Sequence, residues 1–306
     1  MNKLAPNNKF TFEKTYCTIC GADDYELRHK VTKFDQGNLT FVTCRICNNV
    51  YQNPRPDWHS MQEFYTTENF FKATKSDDKF VGYIDYDAEE ITRLKNAEFR
   101  LHEIEALYSK GQKLKILKIA CGYGAFIKKA LEGGHDAKGI DFSEVMVQGA
   151  HDRYGIELIH SDILDYDFGS EKFDVILLYG AINNFLEPVR VGSKIFDLLK
   201  PGGHYLTNYV EPNSIIEHIQ KEKFWLYRPP IIGMWPTKAF VNAHAAFGFE
   251  LVRSFRDVQW ATIGKLVDYL QIRPLMRIIR LLKIDSILLK IPTPGYTKVI
   301  FRHPLS

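Results

Sequence analysis

KILKIACGYGAF, residues 115–126, decides the fold. Lys115–Ile119 is a short apolar run of strand length, Cys121–Gly124 is a glycine turn, and Phe126–Leu131 opens a helix. The same alternation continues downstream. Lys138–Asp141 reads as a strand, Glu144–Tyr154 as a helix, and Glu157–His160 and Phe173–Leu178 as strands. Val189–Leu199 reads as a helix that Pro201-Gly202-Gly203 stops, and His204–Tyr209 follows as a strand. Strands alternating with helices predict an α/β class with a doubly wound, mostly parallel sheet, and Lys298–Arg302 would complete it as a seventh strand. Upstream, Ile91, Leu94, Ala97, Leu101, Ile104 and Tyr108 recur at helical spacing, predicting an amphipathic helix over 88–108.

Ligands of such sheets bind outside the carboxyl ends of the strands. The turn holding Gly122 and Gly124 lies there, where glycines admit a close ligand and a helix N-terminus offers free N–H groups. Asp141 ends the second strand and can accept hydrogen bonds from a ribose diol; Asp162 follows the third, placed for an adenine amino group. Three such features at successive strand ends describe a nucleoside pocket.

Composition narrows the function. The 306 residues are 45% hydrophobic and 25% charged, values that exclude a disordered or fibrous chain. The formal charge of +3 is too small for a duplex-binding footprint, which disfavours nucleic acid as partner. Residues 1–15 show no secretory signal and no stretch has the length of a spanning segment, so a cytoplasmic protein is expected. In LMRIIRLLKIDSILLKI, residues 275–291, Arg277, Arg280 and Lys283 recur every third position among Leu and Ile. That pattern fits a helix packed on its own domain or one resting on an anionic membrane surface. Nothing in the pattern fixes an oligomeric state.

Four of the five cysteines form two knuckles, Cys17-x2-Cys20 and Cys44-x2-Cys47, 23 residues apart. Four thiolates can close a tetrahedron around Zn²⁺ in a structural site without an open position; an iron–sulfur cluster would use the same ligands. Gly21 eases the first knuckle's turn. A small zinc ribbon at 1–56 is expected. The fifth, Cys121, lies in the glycine turn as a small apolar filler.

ILKIACGYGAF, GIDFSEVMVQGA, SDILDY, FDVILLYGAINNF, LLKPGG and EPNS, in this order, resemble the motifs of class I S-adenosylmethionine-dependent methyltransferases. The leader CTICGADDYEL…VTCRICNNVYQNPRP is similar to the four-cysteine zinc ribbon of a bacterial subgroup, many of whose members act in polysaccharide or secondary-metabolite pathways. The stretch NSIIEHIQKEKFWLYRPPIIGMWPTKAFVNAHAAFGFELV is similar to that subgroup's substrate-side region. The resemblance implies a seven-stranded Rossmann-like methyltransferase sheet over 111–306, a substrate cap around 212–247, and linking helices with a cofactor lid at 57–110. It places Gly122 and Gly124 beneath the methionine part of S-adenosylmethionine, with Ala120 in the same turn. Asp141, with Phe142 beside it, would hold the ribose, Asp162 and Ile163 would frame the adenine, Tyr179 and Gly180 would border the sulfonium, and Tyr83 and Tyr86 of Phe80–Tyr86 would belong to the lid.

The implied activity is methyl transfer from S-adenosylmethionine to a small-molecule or sugar acceptor, O-methylation foremost. Such a displacement needs orientation and desolvation, and a base only if the acceptor must lose a proton. Tyr209, Glu211 and His218 are the candidates for that base, with Tyr227 and Arg228 on the following loop. Trp225, Tyr227 and Trp235 form either an aromatic wall for the acceptor or the core of the cap. Two departures support an alternative reading as a non-catalytic or altered-cofactor binding protein. Lys118 and Ala120 stand where the family has an acid and a glycine, and Asn183-Asn184 stand where the subgroup has Glu-His.

Overall fold

The computed structural model describes residues 10–32, 38–66, 89–270 and 272–305. The leader supplies β1 (Phe12–Glu13), β2 (Tyr25–Val31), β3 (Leu39–Cys44), β4 (Val50–Gln52), β5 (Arg55–Pro56) and α1 (Trp58–Thr66). Then come α2 (Glu90–Glu105), β6 (Lys115–Ile119), α3 (Ala125–Glu132), β7 (Asp136–Asp141), α4 (Glu144–Tyr154), β8 (Ile159–His160), β9 (Phe173–Leu178), α5 (Pro188–Leu198) and β10 (Leu199–Val210). The remainder is α6 (Ile215–Gln220), β11 (Gly233–Met234), α7 (Thr237–Ala245), β12 (Glu250–Thr262), α8 (Ile263–Leu270), α9 (Arg273–Leu281) and β13 (Leu288–Arg302).

The large sheet has seven strands in the order β12-β13-β10-β9-β6-β7-β8. From β10 to β8 all pairings are parallel, while β13 runs antiparallel to both its neighbours. This is the expected Rossmann-like methyltransferase sheet. The chain winds outward from β6 to β8 and then returns to β9 on the other side of β6. A switch in winding direction of this kind opens a crevice at the strands' carboxyl ends.

Both faces of the sheet are covered, which explains the continuous apolar runs of the central strands. Leu117, Ile176 and Leu178 point to one face and pack with Val191 and Ile195 of α5 and Phe240 of α7. Their strand neighbours Ile116, Val175 and Leu177 point to the other and pack with Leu101 and Ile104 of α2 and Phe126 and Ile127 of α3. Truncating such a residue to Ala costs about 2–5 kcal/mol.

Three differences from the sequence reading matter. The final strand is three times the expected length, Leu288–Arg302, and pairs with β12, which the hydrophobic pattern did not show. β12 is an edge strand whose first half is mostly exposed, so it lacks an apolar alternation. The amphipathic helix is shorter at both ends, Glu90–Glu105. Finally, the ribbon is not closed within 1–56: its four-stranded sheet, β11-β4-β3-β2, takes an edge strand from the cap, with Gly233 opposite Tyr51 and Met234 opposite Val50.

Candidate cofactor site and metal centre

The glycine turn bends through three left-handed residues, Ala120 (φ 49°), Gly122 (φ 56°) and Gly124 (φ 77°). Gly124 is the N-cap of α3 and supplies no side-chain acceptor, so the first amide groups of the helix are left for a ligand. The carboxylate of Asp141 holds the turn to the next strand. Its Oδ2 accepts from Gly122 N at 2.8 Å and its Oδ1 from Ser143 N at 3.0 Å. Each oxygen keeps a second lone pair, so both can still accept from a vicinal diol. Burial raises the Asp141 carboxyl above its ordinary range, while the Ser143 and Gly122 amides favour the anion.

Phe142 follows, its ring edge-on to Tyr65 at 5.3 Å and tilted to Trp58 at 5.9 Å, both from α1. Ser143 Oγ donates to the Tyr65 carbonyl at 3.1 Å. The leader thereby packs on the carboxyl end of β7. Asp162 Oδ1 accepts from Leu164 N at 2.7 Å; burial raises its carboxyl, and Ile163 beside it is buried. Phe80–Tyr86, with Tyr83 and Tyr86, lies outside the described residues.

Lys118 is buried at 8% exposure, and its ammonium donates to the carbonyls of Ile119 at 2.8 Å and Ala120 at 3.1 Å. The cation is therefore folded onto the head of the turn. Burial lowers its pKa to about 8, with Cys121 and Asp141 opposing. Cys121 fills the space between strand and helix as expected: a Cβ on Gly139 would meet its Sγ at 2.7 Å. Burial pushes its thiol well up, away from reactivity.

At the end of β9 the positive φ of Gly180 (72°) turns the chain, and Gly180 N donates to Asn208 Oδ1 at 2.6 Å. Asn208 Nδ2 donates to Asp257 Oδ2 at 2.8 Å, and Arg100 Nη2 donates to Asp257 Oδ1 at 2.6 Å. The Arg100 guanidinium also stands 4.7 Å over the ring of Tyr179. Sequence reading missed Arg100, Asn208 and Asp257, because three distant elements bring them together and none belongs to a local motif. Asn183 has a role that its motif position did not reveal. It accepts from Val210 N at 2.9 Å and donates to Gly233 O at 2.6 Å, tying the fourth-strand loop to β10 and β11.

The base candidates are scattered in role. Tyr209 is fully buried and its hydroxyl donates to Thr237 Oγ1 at 2.9 Å. Glu211 accepts from Thr237 N and Oγ1 and from Thr297 Oγ1, an assignment within the fold. His218 is exposed on α6. Tyr227 and Trp235 are fully buried and belong to the core of the cap rather than to an open wall. Trp225 is half-buried, with Arg228 at 5.5 Å over its ring.

The four cysteine sulfurs lie within 4.8 Å of one another, with Cys17–Cys47 at 3.4 Å and Cys20–Cys44 at 3.6 Å. Sulfurs held at about 2.3 Å from one tetrahedral ion stand about 3.8 Å apart, so the set fits Zn²⁺. The two knuckles have the same construction. Gly21 N returns to Cys17 O and Asn48 N to Cys44 O, both at 2.9 Å, and each of these fourth residues is left-handed. Asn49 Nδ2 donates to Cys17 Sγ at 3.3 Å. The hydrogen bond between Cys17 and Cys47 holds the Cys17 thiol low and the Cys47 thiol high, so the two share a proton that a bound metal would displace.

Residues 116–203 match the model of a methyltransferase domain family. A demethylmenaquinone methyltransferase of Lactococcus lactis is 26% identical over 203 residues, 63% of this chain and 72% of that one. One of Clavibacter sepedonicus is 29% identical over 93 residues, and the chain spans only 38% of its length. Among solved structures, a candidate sarcosine dimethylglycine methyltransferase from Galdieria sulphuraria shares the fold at a TM-score of 0.50 and 14% identity, over 69% of this chain and 86% of that one.

Proposed function

We propose that this chain, a Rossmann-like methyltransferase in fold with a methyltransferase domain at 116–203, is an S-adenosylmethionine-dependent enzyme that methylates a small molecule. The observation that carries the reading is Asp141, whose carboxylate spans the glycine turn and the β7 end with one lone pair left on each oxygen. There it would hold the ribose diol, with Phe142 beside it, Asp162 and Ile163 at the adenine, and Tyr179 and Gly180 near the sulfonium. The cofactor supplies an activated methyl group. The chain's own residues orient it and exclude water.

The acceptor in this reading is a small molecule or sugar, with a hydroxyl as the foremost methylated atom. Its site lies between the cap at 212–247 and the strand ends. Of the three base candidates, Tyr209 and Glu211 are bound into the fold, so the role passes to His218 if the acceptor must lose a proton. The leader is read as the four-cysteine zinc ribbon of the bacterial subgroup, with a structural ion, and the protein as cytoplasmic. Titration calorimetry tests the central claim: S-adenosylhomocysteine is expected to bind, and the absence of binding by it and by S-adenosylmethionine would sink the reading. Lys118 favours a second reading, a site altered toward a cofactor with a less cationic or more anionic tail, because its ammonium occupies the carbonyls at the head of the turn.

A further inference from the structure

The segment between β12 and β13 has no part in the site described above. Strand register places it. β10 ends at Val210 opposite Tyr296, while β13 begins at Leu288, paired with Thr262 of β12. β12 and β10 both run antiparallel to β13, and β13 bulges between Thr297 and Pro292, so the hairpin overhangs the carboxyl ends of the parallel strands by five residues of β12, 258–262, or roughly 17 Å. It projects past the carboxyl end of the sheet, the end at which Asp141 and Gly180 stand, from the edge opposite to β7 and β8. Asn96 of α2 steadies it by exchanging two 2.8 Å hydrogen bonds with the Trp260 backbone, and Lys265 pairs with Glu89 at 2.7 Å.

α9, on this tip, has three faces. Ile279 is buried at 4% exposure and attaches the helix to the fold. At about 100° per residue, Leu281 and Leu282 fall within about 60° of Ile278, and these three side chains are 82%, 60% and 53% exposed. Arg277 and Arg280, both exposed, form the third face beside them, and exposed Lys283 follows the helix. Ile287 before β13 and Leu289 on it are exposed as well. Residues 263–291 carry six cations against two acids, so this segment supplies more than the whole of the chain's formal +3.

Five exposed aliphatic side chains gathered on one hairpin tip, rather than scattered singly, mark an interaction site. Its charge decides the partner. Protein interfaces favour aromatic anchors and are depleted in lysine, whereas this cluster is aliphatic and is bordered by exposed cations of one sign, Arg277, Arg280 and Lys283. A lipid surface places phosphates above an apolar layer, which matches cations bordering exposed leucines. We propose that α9 and the hairpin tip are a docking surface for an anionic bilayer. Ile278, Leu281 and Leu282 enter the headgroup boundary while Arg277, Arg280 and Lys283 meet lipid phosphates, and the ligand end of the sheet is held next to the membrane. No helix among the described residues is long and apolar enough to cross it.

The test is co-sedimentation of the full chain with vesicles of phosphatidylcholine alone and of phosphatidylcholine with phosphatidylglycerol. Binding is expected only to the anionic vesicles and should weaken as salt rises. At about fivefold per cation, removing all three charges in R277Q/R280Q/K283Q should weaken it about a hundredfold. L281S/L282S should also reduce it, with thermal melting of both variants unchanged because the altered positions are exposed. Failure to bind anionic vesicles at low salt, or equal binding to both vesicle types, overturns the proposal. So does sedimentation equilibrium showing self-association that L281S/L282S abolishes, since a second copy would then be the occupant. Neither measurement depends on methyl transfer.

Discussion

Arg100 of α2 donates to Asp257 of β12 at 2.6 Å, and the other oxygen of that carboxylate takes the amide of Asn208, whose own carbonyl oxygen holds Gly180 N. A buried ion pair thus orients the loop at the end of β9. Lys298 and Glu103 extend the network, so cations and acids balance within it.

Removing one partner of such a pair leaves the other charged and buried, a loss of about 3–5 kcal/mol. Asp257→Ala is expected to destabilise the fold by that amount in urea unfolding. A loss below about 1 kcal/mol would show that water screens the pair.

Asp141→Asn keeps the size but offers one acceptor oxygen where two amides now donate, and it removes the charge. S-adenosylhomocysteine affinity should fall by about ten- to a hundredfold, since a hydrogen bond to a charged group contributes about 1.5–3 kcal/mol. Calorimetric titration of a variant with unchanged circular dichroism is the measurement; affinity within threefold of the parent would remove Asp141 from the site.

Lys118→Met tests the cation at the head of the turn. It should tighten S-adenosylhomocysteine by about tenfold, or about 1.4 kcal/mol, while leaving 5′-methylthioadenosine, which lacks the amino-acid tail, unaffected. Equal changes for both ligands would mean that Lys118 acts on the nucleoside instead.

The same substitution has a pH signature. The folded pKa of Lys118, about 8, lies below its ordinary 10.5, so the unfolded chain holds the proton more tightly. The native state bears the full cost of charged burial below pH 8, on the order of 3 kcal/mol, and that cost fades as pH rises from 8 through 10.5. Lys118→Met should therefore be the more stable protein at pH 7, with the gap closing toward pH 10.5. Parallel stability curves across that range would contradict the assignment.

Ala120 adopts φ 49°, where a Cβ is strained by about 1–2 kcal/mol and glycine is not. Ala120→Gly should raise stability by roughly 0.5–1 kcal/mol after the entropy of the freer unfolded chain is counted. A differential scanning measurement should show a rise of about 1–2 °C in Tm; a fall would mean that the methyl group packs favourably.

For the metal, Cys44→Ser should lower zinc content from one ion per chain to less than half, because three thiolates no longer close the shell. Elemental analysis settles it. Full retention would rule out a four-sulfur site.

What the sequence made legible was local. The glycine turn, Asp141 and the two Cys-x2-Cys knuckles each lie within a few residues of chain, and their chemistry is carried by residue type and spacing. Asn48 shows the limit of that reading: it performs the left-handed turn that Gly21 performs in the other knuckle, but asparagine is common enough elsewhere to carry no signal. The Arg100–Asp257–Asn208 chain, the role of Asn183, and β12 were illegible because each depends on partners dozens of residues away. Trp235 and Tyr227 could have lined an opening or filled a core; only packing against Phe240 and Phe41 assigns them to the interior.

The pairing of Gly233 with Tyr51 also has a consequence for biosynthesis. On the ribosome, Cys17 to Cys47 emerge early and can capture metal at once. The strand that covers the edge of β4 follows 182 residues later, roughly 10–40 s at ordinary elongation rates. Throughout that interval Val50 and Tyr51, both buried in the finished protein, lie on an open edge. Nascent chains are thus exposed to strand-to-strand association between neighbouring ribosomes, and chaperone demand should peak before residue 234 is translated.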